Sequence, residues 1–125
     1  MQLRPATAEE RNGWDEPDVV AITRAGTAEP IGAIGFTIEA GTLTVRRMEV
    51  APALRGRGYG SEAVRLLESE AVRGHGVTRF EAPAPQSLGL ALYFWLRLGY
   101  RPASADGPEW RPLTGGDIIS MVREA

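Results

Sequence analysis

The first half of the chain is written as short apolar runs separated by turn formers. Residues 19–24, 31–38 and 43–50 each read as a strand, with residues 26–30 and Ala40-Gly41-Thr42 as turns between them. They make an antiparallel meander, preceded by a short first strand over residues 2–5. Thr7 and Glu10 have capping-box spacing, which predicts a helix start. Asn12-Gly13 and Pro17 keep that helix brief. The period then changes. Over residues 60–73, Ala63, Val64, Leu67 and Ala71 recur at helical spacing, with Glu62, Arg65 and Glu68 on the outer side. Gly74 and Gly76 stop this helix. Residues 77–82 form a short strand, Pro83-Ala84-Pro85 a stiff connection, and residues 88–98 a very apolar helix ended by Gly99. Residues 100–104 and 117–123 read as two closing strands around a Pro/Gly-rich loop, the last also readable as a short helix capped by Asp117. There is no internal repeat and no domain boundary, so residues 1–125 are expected to form one domain.

Candidate chemistry sits where the meander gives way to the helix. Residues 55–60 read Arg-Gly-Arg-Gly-Tyr-Gly. Glycines at a strand-to-helix turn let backbone approach a ligand, because no Cβ blocks the way. The first N–H groups of a helix lack intrahelical partners and lie at the positive end of its dipole. Together they predict a socket for a phosphate-bearing small molecule. A P-loop is excluded because its lysine is missing. A dinucleotide fingerprint fits poorly, because Gly56, Gly58 and Gly60 alternate and a meander precedes them.

Composition removes whole classes of chemistry. The chain has no cysteine, which excludes disulfides, thiolate metal sites and a cysteine acyl-enzyme. All fourteen basic residues are arginine, so no lysine Schiff base can form. A single histidine, His75, rules out a histidine-rich metal site, and no metal is expected. A net charge of −2 argues against general nucleic-acid binding. No run approaches the roughly 20 apolar residues of a membrane span. With no apolar core of a signal peptide at the start, a cytoplasmic protein is the expectation.

Several details then converge. Val50-Ala51-Pro52 precedes Arg55-x-x-Gly58-x-Gly60, an amphipathic helix, a strand, and a helix ending Leu98-Gly99-Tyr100. The opening Leu3-Arg4-Pro5-Ala6-Thr7 and the late Asp117-Ile118-Ile119-Ser120-Met121 complete the set. This resembles the GNAT superfamily of N-acetyltransferases, over most of the chain. The resemblance implies an α/β fold with a mixed, mostly antiparallel sheet flanked by helices. It implies acetyl-CoA as acyl donor and a small-molecule or peptide amine as acceptor, attacking the thioester directly.

By that resemblance the backbone from Arg55 through Gly56, Arg57, Gly58, Tyr59 and Gly60 to Ser61 would cradle the pyrophosphate. Met48, Glu49 and Val50 would run beside the pantetheine arm, where the fourth strand splays from the fifth. Arg55 or Arg57 can add a guanidinium–phosphate pair. The amine must lose a proton, for which Glu49 and Glu81 are the candidate bases. The family's usual acid is a tyrosine at the position where this chain has Trp95. Tyr93 is the substitute candidate, although two residues are about 200° apart around a helix. The usual asparagine is replaced by Leu88, with Gln86 and Ser87 nearby. The two helices that usually wall the acceptor site are reduced to residues 7–16, which predicts an open pocket or one completed by a homodimer. Trp14 and Trp110 are read as packing residues ahead of substrate platforms, and His75 as capping carbonyls or facing water. The alternative function is a non-catalytic acyl-CoA-binding domain acting as a sensor or partner-binding module.

Overall fold

The computed structural model describes residues 1–85, 89–103 and 118–125. Among these, seven strands form one sheet: β1 (Gln2–Pro5), β2 (Asp18–Thr23), β3 (Pro30–Glu39), β4 (Thr42–Val50), β5 (Arg79–Pro85), β6 (Arg101–Pro102) and β7 (Ile118–Glu124). Their spatial order is β1-β2-β3-β4-β5-β7-β6. Every neighbouring pair is antiparallel except β4 with β5, which the helix α1 (Tyr59–His75) connects. A second helix, α2 (Gly89–Arg97), follows β5. The meander is therefore as expected, and its β3–β4 hairpin closes on Ala40 and Gly41, at φ 49° and 80°. Two successive positive φ angles suit the twist of a two-residue hairpin.

Both helices share one face of the sheet. Ala63, Val64, Leu67 and Ala71 of α1 and Trp95 of α2 join Leu43, Val45, Phe80, Ala82, Ala84 and Met121 in one buried core. A buried Leu or Val contributes about 1.5–3 kcal/mol relative to its exposed state, so this face holds the fold together. The first of α1's expected outer residues is outside, but Glu68 is not: it is 5% exposed. Its carboxylate accepts a hydrogen bond from Tyr100 Oη at 2.6 Å and another from Arg123 Nη2 at 2.6 Å. Helical spacing alone assigns Glu68 to solvent; two partners from distant elements turn it inward. Burial and the Glu68 carboxylate both push the Tyr100 phenol well above its ordinary pKa, so it stays a donor.

Three further expectations change. Pro83-Ala84-Pro85 is not a connection but the second half of β5, paired with β7 from Ile118 to Ser120. The capping box at Thr7 forms, with Glu10 N donating to Thr7 Oγ1 at 3.1 Å and Thr7 N donating to Glu10 Oε1 at 2.9 Å. It opens only a run of turns, because Arg4 holds the same carboxylate at 2.7 and 2.8 Å and Gly13 reverses the chain at φ 88°. The third concerns β4. Gly35 pairs with Arg47 while Phe36 pairs with Val45, so Arg46 is an extra residue, a β-bulge. Period-two alternation predicts Val45, Arg47 and Glu49 on one face; the bulge shifts the phase, and Val45 is buried while Arg47 and Glu49 face the other side. Gln86, Ser87, Leu88, Trp110, Asp117 and the Pro/Gly-rich loop lie outside the described residues.

Replacing Tyr100 with Phe keeps the ring and strips Glu68 of one of its two partners. Urea denaturation should show a loss of about 1–3 kcal/mol, the cost of a buried group left short of a hydrogen bond. A loss below about 0.5 kcal/mol would mean that water replaces the phenol without penalty.

Candidate functional site

The parallel pair β4–β5 is short. Only Thr42, Leu43 and Thr44 are in register with Arg79, Phe80 and Glu81; beyond that the strands run on without pairing. Two features enforce the gap. The bulge at Arg46 bends and twists β4 just after the last pair. On the other wall, Ala125 N donates to Thr78 O, so hydrogen-bonded pairs with β7 fall on the even residues of β5. The odd ones, Glu81, Pro83 and Pro85, therefore turn their backbone toward β4. Proline has no N–H to donate, so past Glu81 the β5 wall offers acceptors only.

The β4 wall is different. Ala51 N donates to Ile31 O at 2.8 Å, which places the backbone groups of Arg47 and Glu49 on β3. Those of Met48 and Val50 alternate toward the opening. An extended ligand with amides of its own would find both donors and acceptors here.

At the end of β4 the chain passes through a 3-10 turn, Pro52–Leu54, into the glycine loop. Gly56 and Gly58 adopt φ 78° and 83°, with nothing within 4 Å of a Cβ at either place. Their need for glycine is thus conformational rather than steric. Gly58 is the N-cap of the 17-residue α1, and no side chain caps it. The first intrahelical bond is Glu62 N to Gly58 O, which leaves the preceding amides pointing outward. Gly60 differs: its Cβ would lie 3.5 Å from Met48 Cε and from Phe94 Cε2, an ordinary contact.

A cavity of about 360 Å³ opens over this helix end. Met48, Val50, Arg55, Gly56, Gly58, Tyr59, Gly60 and Ser61 line it, as do Leu54, Phe94 and Arg97. These three lie beyond the residues expected from the sequence, and Phe94 and Arg97 stand three residues apart on α2, the spacing of one helix face. Arg97 adds a cation to an opening already favourable to anions. Arg55 folds back, its Nε donating to Val50 O at 3.0 Å, while Arg57 is exposed and lines no cavity described here.

Of the candidate bases, Glu49 belongs to β4 and Glu81 to β5, both on the face opposite the helices. Glu81 stands at the closed end of the gap, opposite Thr44, and Glu49 on its β4 wall. Glu81 accepts from Arg79 Nε at 3.1 Å and is partly buried. Glu49 is about half exposed, with Oε1 accepting from Arg47 Nη2 at 2.9 Å. Tyr93 is 59% exposed beneath the Arg97 guanidinium and does not line the 360 Å³ cavity. Trp95 is buried, packed on Phe94 and Tyr100. No group of three or more metal-binding side chains occurs among the described residues.

A second cavity, of about 470 Å³, lies on the open face and shares Val50 and Arg55 with the first. The turns at residues 7–16 form its outer wall, held by the Arg4–Glu10 pair. The Arg4 guanidinium, with help from the Thr7 N–H, lowers the Glu10 carboxyl from 4.5 to about 2. Glu16 lies directly over Gly35, whose missing Cβ leaves room for it.

The model of the acetyltransferase (GNAT) family matches residues 2–100. The chain belongs to the GNAT acetyltransferase family. Solved structures carry the same fold. A GNAT family acetyltransferase from Elizabethkingia anophelis with acetyl-CoA bound superposes with a TM-score of 0.76 at 16% identity, covering 99% of this chain and 97% of that one. A Bacillus subtilis acetyltransferase in complex with CoA gives 0.73 at 14%, with the same coverage. The ribosomal-protein-S18-alanine N-acetyltransferase from Escherichia coli gives 0.70 at 14%, covering 97% and 90%. No curated protein sequence is a significant match. No described helix is long and apolar enough to cross a membrane.

Gly58→Ala should cost about 1–2 kcal/mol, because alanine resists the left-handed conformation. Gly60→Ala, in helical backbone with room for a methyl, should be neutral or stabilise by about 0.5–1 kcal/mol. Urea denaturation of both decides it, and equal effects would contradict the geometry. In the outer wall of the 470 Å³ cavity, Glu10 binds its proton less readily folded than unfolded, so acid favours the undocked segment. Stability from this pair is present above pH about 4.5 and lost as pH falls toward about 2. In a fluorescence titration, Arg4→Met should move the loosening to higher pH; coincident curves would count against the linkage.

Proposed function

We propose that the protein transfers an acetyl group from acetyl-CoA to a primary amine, by direct attack of the amine on the thioester. The observation that carries this reading is the β4–β5 gap ending at an uncapped helix N-terminus. An extended amide-bearing arm fits the first part and a pyrophosphate the second. The pyrophosphate would lie against the amides from Gly56 to Ser61, with Arg97 and Arg55 or Arg57 as counter-charges. The pantetheine amides would meet Met48 and Val50, whose groups would otherwise need water.

The amine enters from the open face. Its lone pair forms the new C–N bond, the C–S bond breaks, and the thiolate leaves with the electron pair. An amine of pKa about 10.4 is neutral in only roughly one molecule per 2,500 at pH 7, a handicap of about 4.6 kcal/mol. For an α-amino group near 7.7–8.0 the handicap is about 1 kcal/mol. Glu49 or Glu81, directly or through water, takes that proton. Tyr93 as proton donor to the thiolate requires a different placement of its side chain; solvent serves otherwise. The absence of cysteine fits a route without an acyl-enzyme. The same reading makes this a cytoplasmic enzyme, with a second copy of the chain free to cover the open face.

One observation favours a second reading, a non-catalytic acyl-CoA binder: Trp95, at the family's usual acid position, is core packing. The test is calorimetric titration of acetyl-CoA, with desulfo-CoA and ATP as comparisons, followed by thiol release with a panel of amines. Micromolar acetyl-CoA binding with much weaker ATP binding, plus amine-dependent thiol release, is expected. Glu49→Gln or Glu81→Gln should lower kcat about 10²–10⁴-fold, the range of general-base catalysis. Binding without release would favour the second reading, and no binding at millimolar ligand would end both.

A further inference from the structure

The 470 Å³ cavity on the open face has a composition that selects among amines. Its floor is nearly without side chains: Gly32 and Ala33 stand there, and Ala21, paired with Ala33, is almost fully covered. Gly32 cannot be larger, because a Cβ would run into the Glu49 carbonyl. Trp14 forms a wall. The Arg47 guanidinium sits 4.1 Å from the centre of the Trp14 ring and covers one face of it. The same guanidinium donates to Gly13 O at 2.9 Å and to Glu49 Oε1 at 2.9 Å. One cation thus fixes both the indole and the carboxylate.

Two carboxylates line the cavity, and they are not equivalent. Glu10 commits both oxygens: Oε1 to Arg4 Nη1 and Thr7 N, Oε2 to Arg4 Nη2. Glu49 commits only Oε1, leaving Oε2 without a partner among the described residues. The cavity therefore offers one carboxylate oxygen without a partner among the described residues, an aromatic wall and a flat apolar floor, with the Arg55 cation in its lining. A polyamine would bring further ammonium groups, and the lining has no second uncommitted carboxylate oxygen to meet them.

We propose that this cavity is the acceptor pocket and that its substrate class is an arylalkylamine, one ammonium group on a flat apolar body. The amine meets Glu49, the ring lies on the Trp14 wall, and Arg47 is a positioning residue for both. This deepens the acetyltransferase reading and rests on it for turnover, but binding in the cavity does not depend on catalysis.

The test is therefore equilibrium binding first. 2-Phenylethylamine, 2-phenylethanol and spermidine are titrated into the CoA-saturated protein and into Trp14→Ala, Trp14→Phe and Glu49→Gln. 2-Phenylethylamine should bind best. Trp14→Ala should weaken it about tenfold, as expected for loss of an aromatic contact, and Trp14→Phe should restore most of that. Glu49→Gln should bring the amine down to the neutral alcohol. CoA affinity measured alongside should be unchanged in both Trp14 variants. In steady state, Trp14→Ala should raise KM for 2-phenylethylamine and leave kcat within about threefold. Preference for spermidine, or indifference of amine binding to Trp14→Ala, would overturn the pocket assignment while leaving acetyl-CoA chemistry intact. Loss of CoA binding in the parent protein would instead remove the acetyltransferase reading.

Discussion

A sheet normally satisfies its backbone by pairing each strand along its whole length, and the site here exists because one pair stops after three residues. β4 and β5 begin as ordinary parallel neighbours and part beyond Thr44 and Glu81. Neither strand ends there; each keeps its other partner, β3 or β7, to the end. The opening is thus braced from both outer sides. It is also prevented from closing: the Arg46 bulge re-aims one wall, and Pro83 and Pro85 deprive the other of donors. Without both devices the two edges would be complementary and free to close to the roughly 4.7–4.9 Å spacing of paired strands.

The same bulge divides the labour between the two faces. Before it, Leu43 and Val45 join the helix-covered core; after it, Met48 packs toward α1 while Arg47 and Glu49 turn to the open face. One extra residue therefore lets a single strand serve the core, the wall of the gap and the opposite surface. The helix face can be rigid because of the buried Tyr100–Glu68–Arg123 network, which ties α1 to β7 and to the end of α2. Such a network adds little net stability over apolar packing but is costly to break in part. It anchors the middle of α1, while the left-handed Gly58 sets where the helix begins and where its free amides lie.

Most of the strands, both helices and the glycine loop were legible because each is a local matter: a run of apolar residues, a periodicity, or a φ angle that only glycine accepts easily. What escaped the sequence was set by neighbours far along the chain. Glu68 has helical spacing on an outer face and is nonetheless buried, because Arg123 lies 55 residues away. Pro83 and Pro85 look like strand breakers, and are strand residues because the side lacking N–H groups is the side that must stay unpaired. The bulge leaves no signature in Val45-Arg46-Arg47; only the register of the partner strand reveals it. Phe94 and Arg97 came to the site from α2 for the same reason, the packing of one helix against another.

The open face follows from a shortened front. Where two helices would need a continuous apolar surface to pack on, residues 7–16 make only turns, and those turns need an external brace. Arg4 supplies it from β1 and Arg47 from β4, each a guanidinium with several donors in a fixed fork. Lysine, with one compact charge, would not tie Gly13, Trp14 and Glu49 together in this way. Shortening the front leaves Gly32 and Ala33 partly uncovered, and small residues there keep the cavity deep. The economy that removes the helices is therefore what gives the protein a pocket of its own, and the arginine that holds the remaining turn is the one that sets its charge.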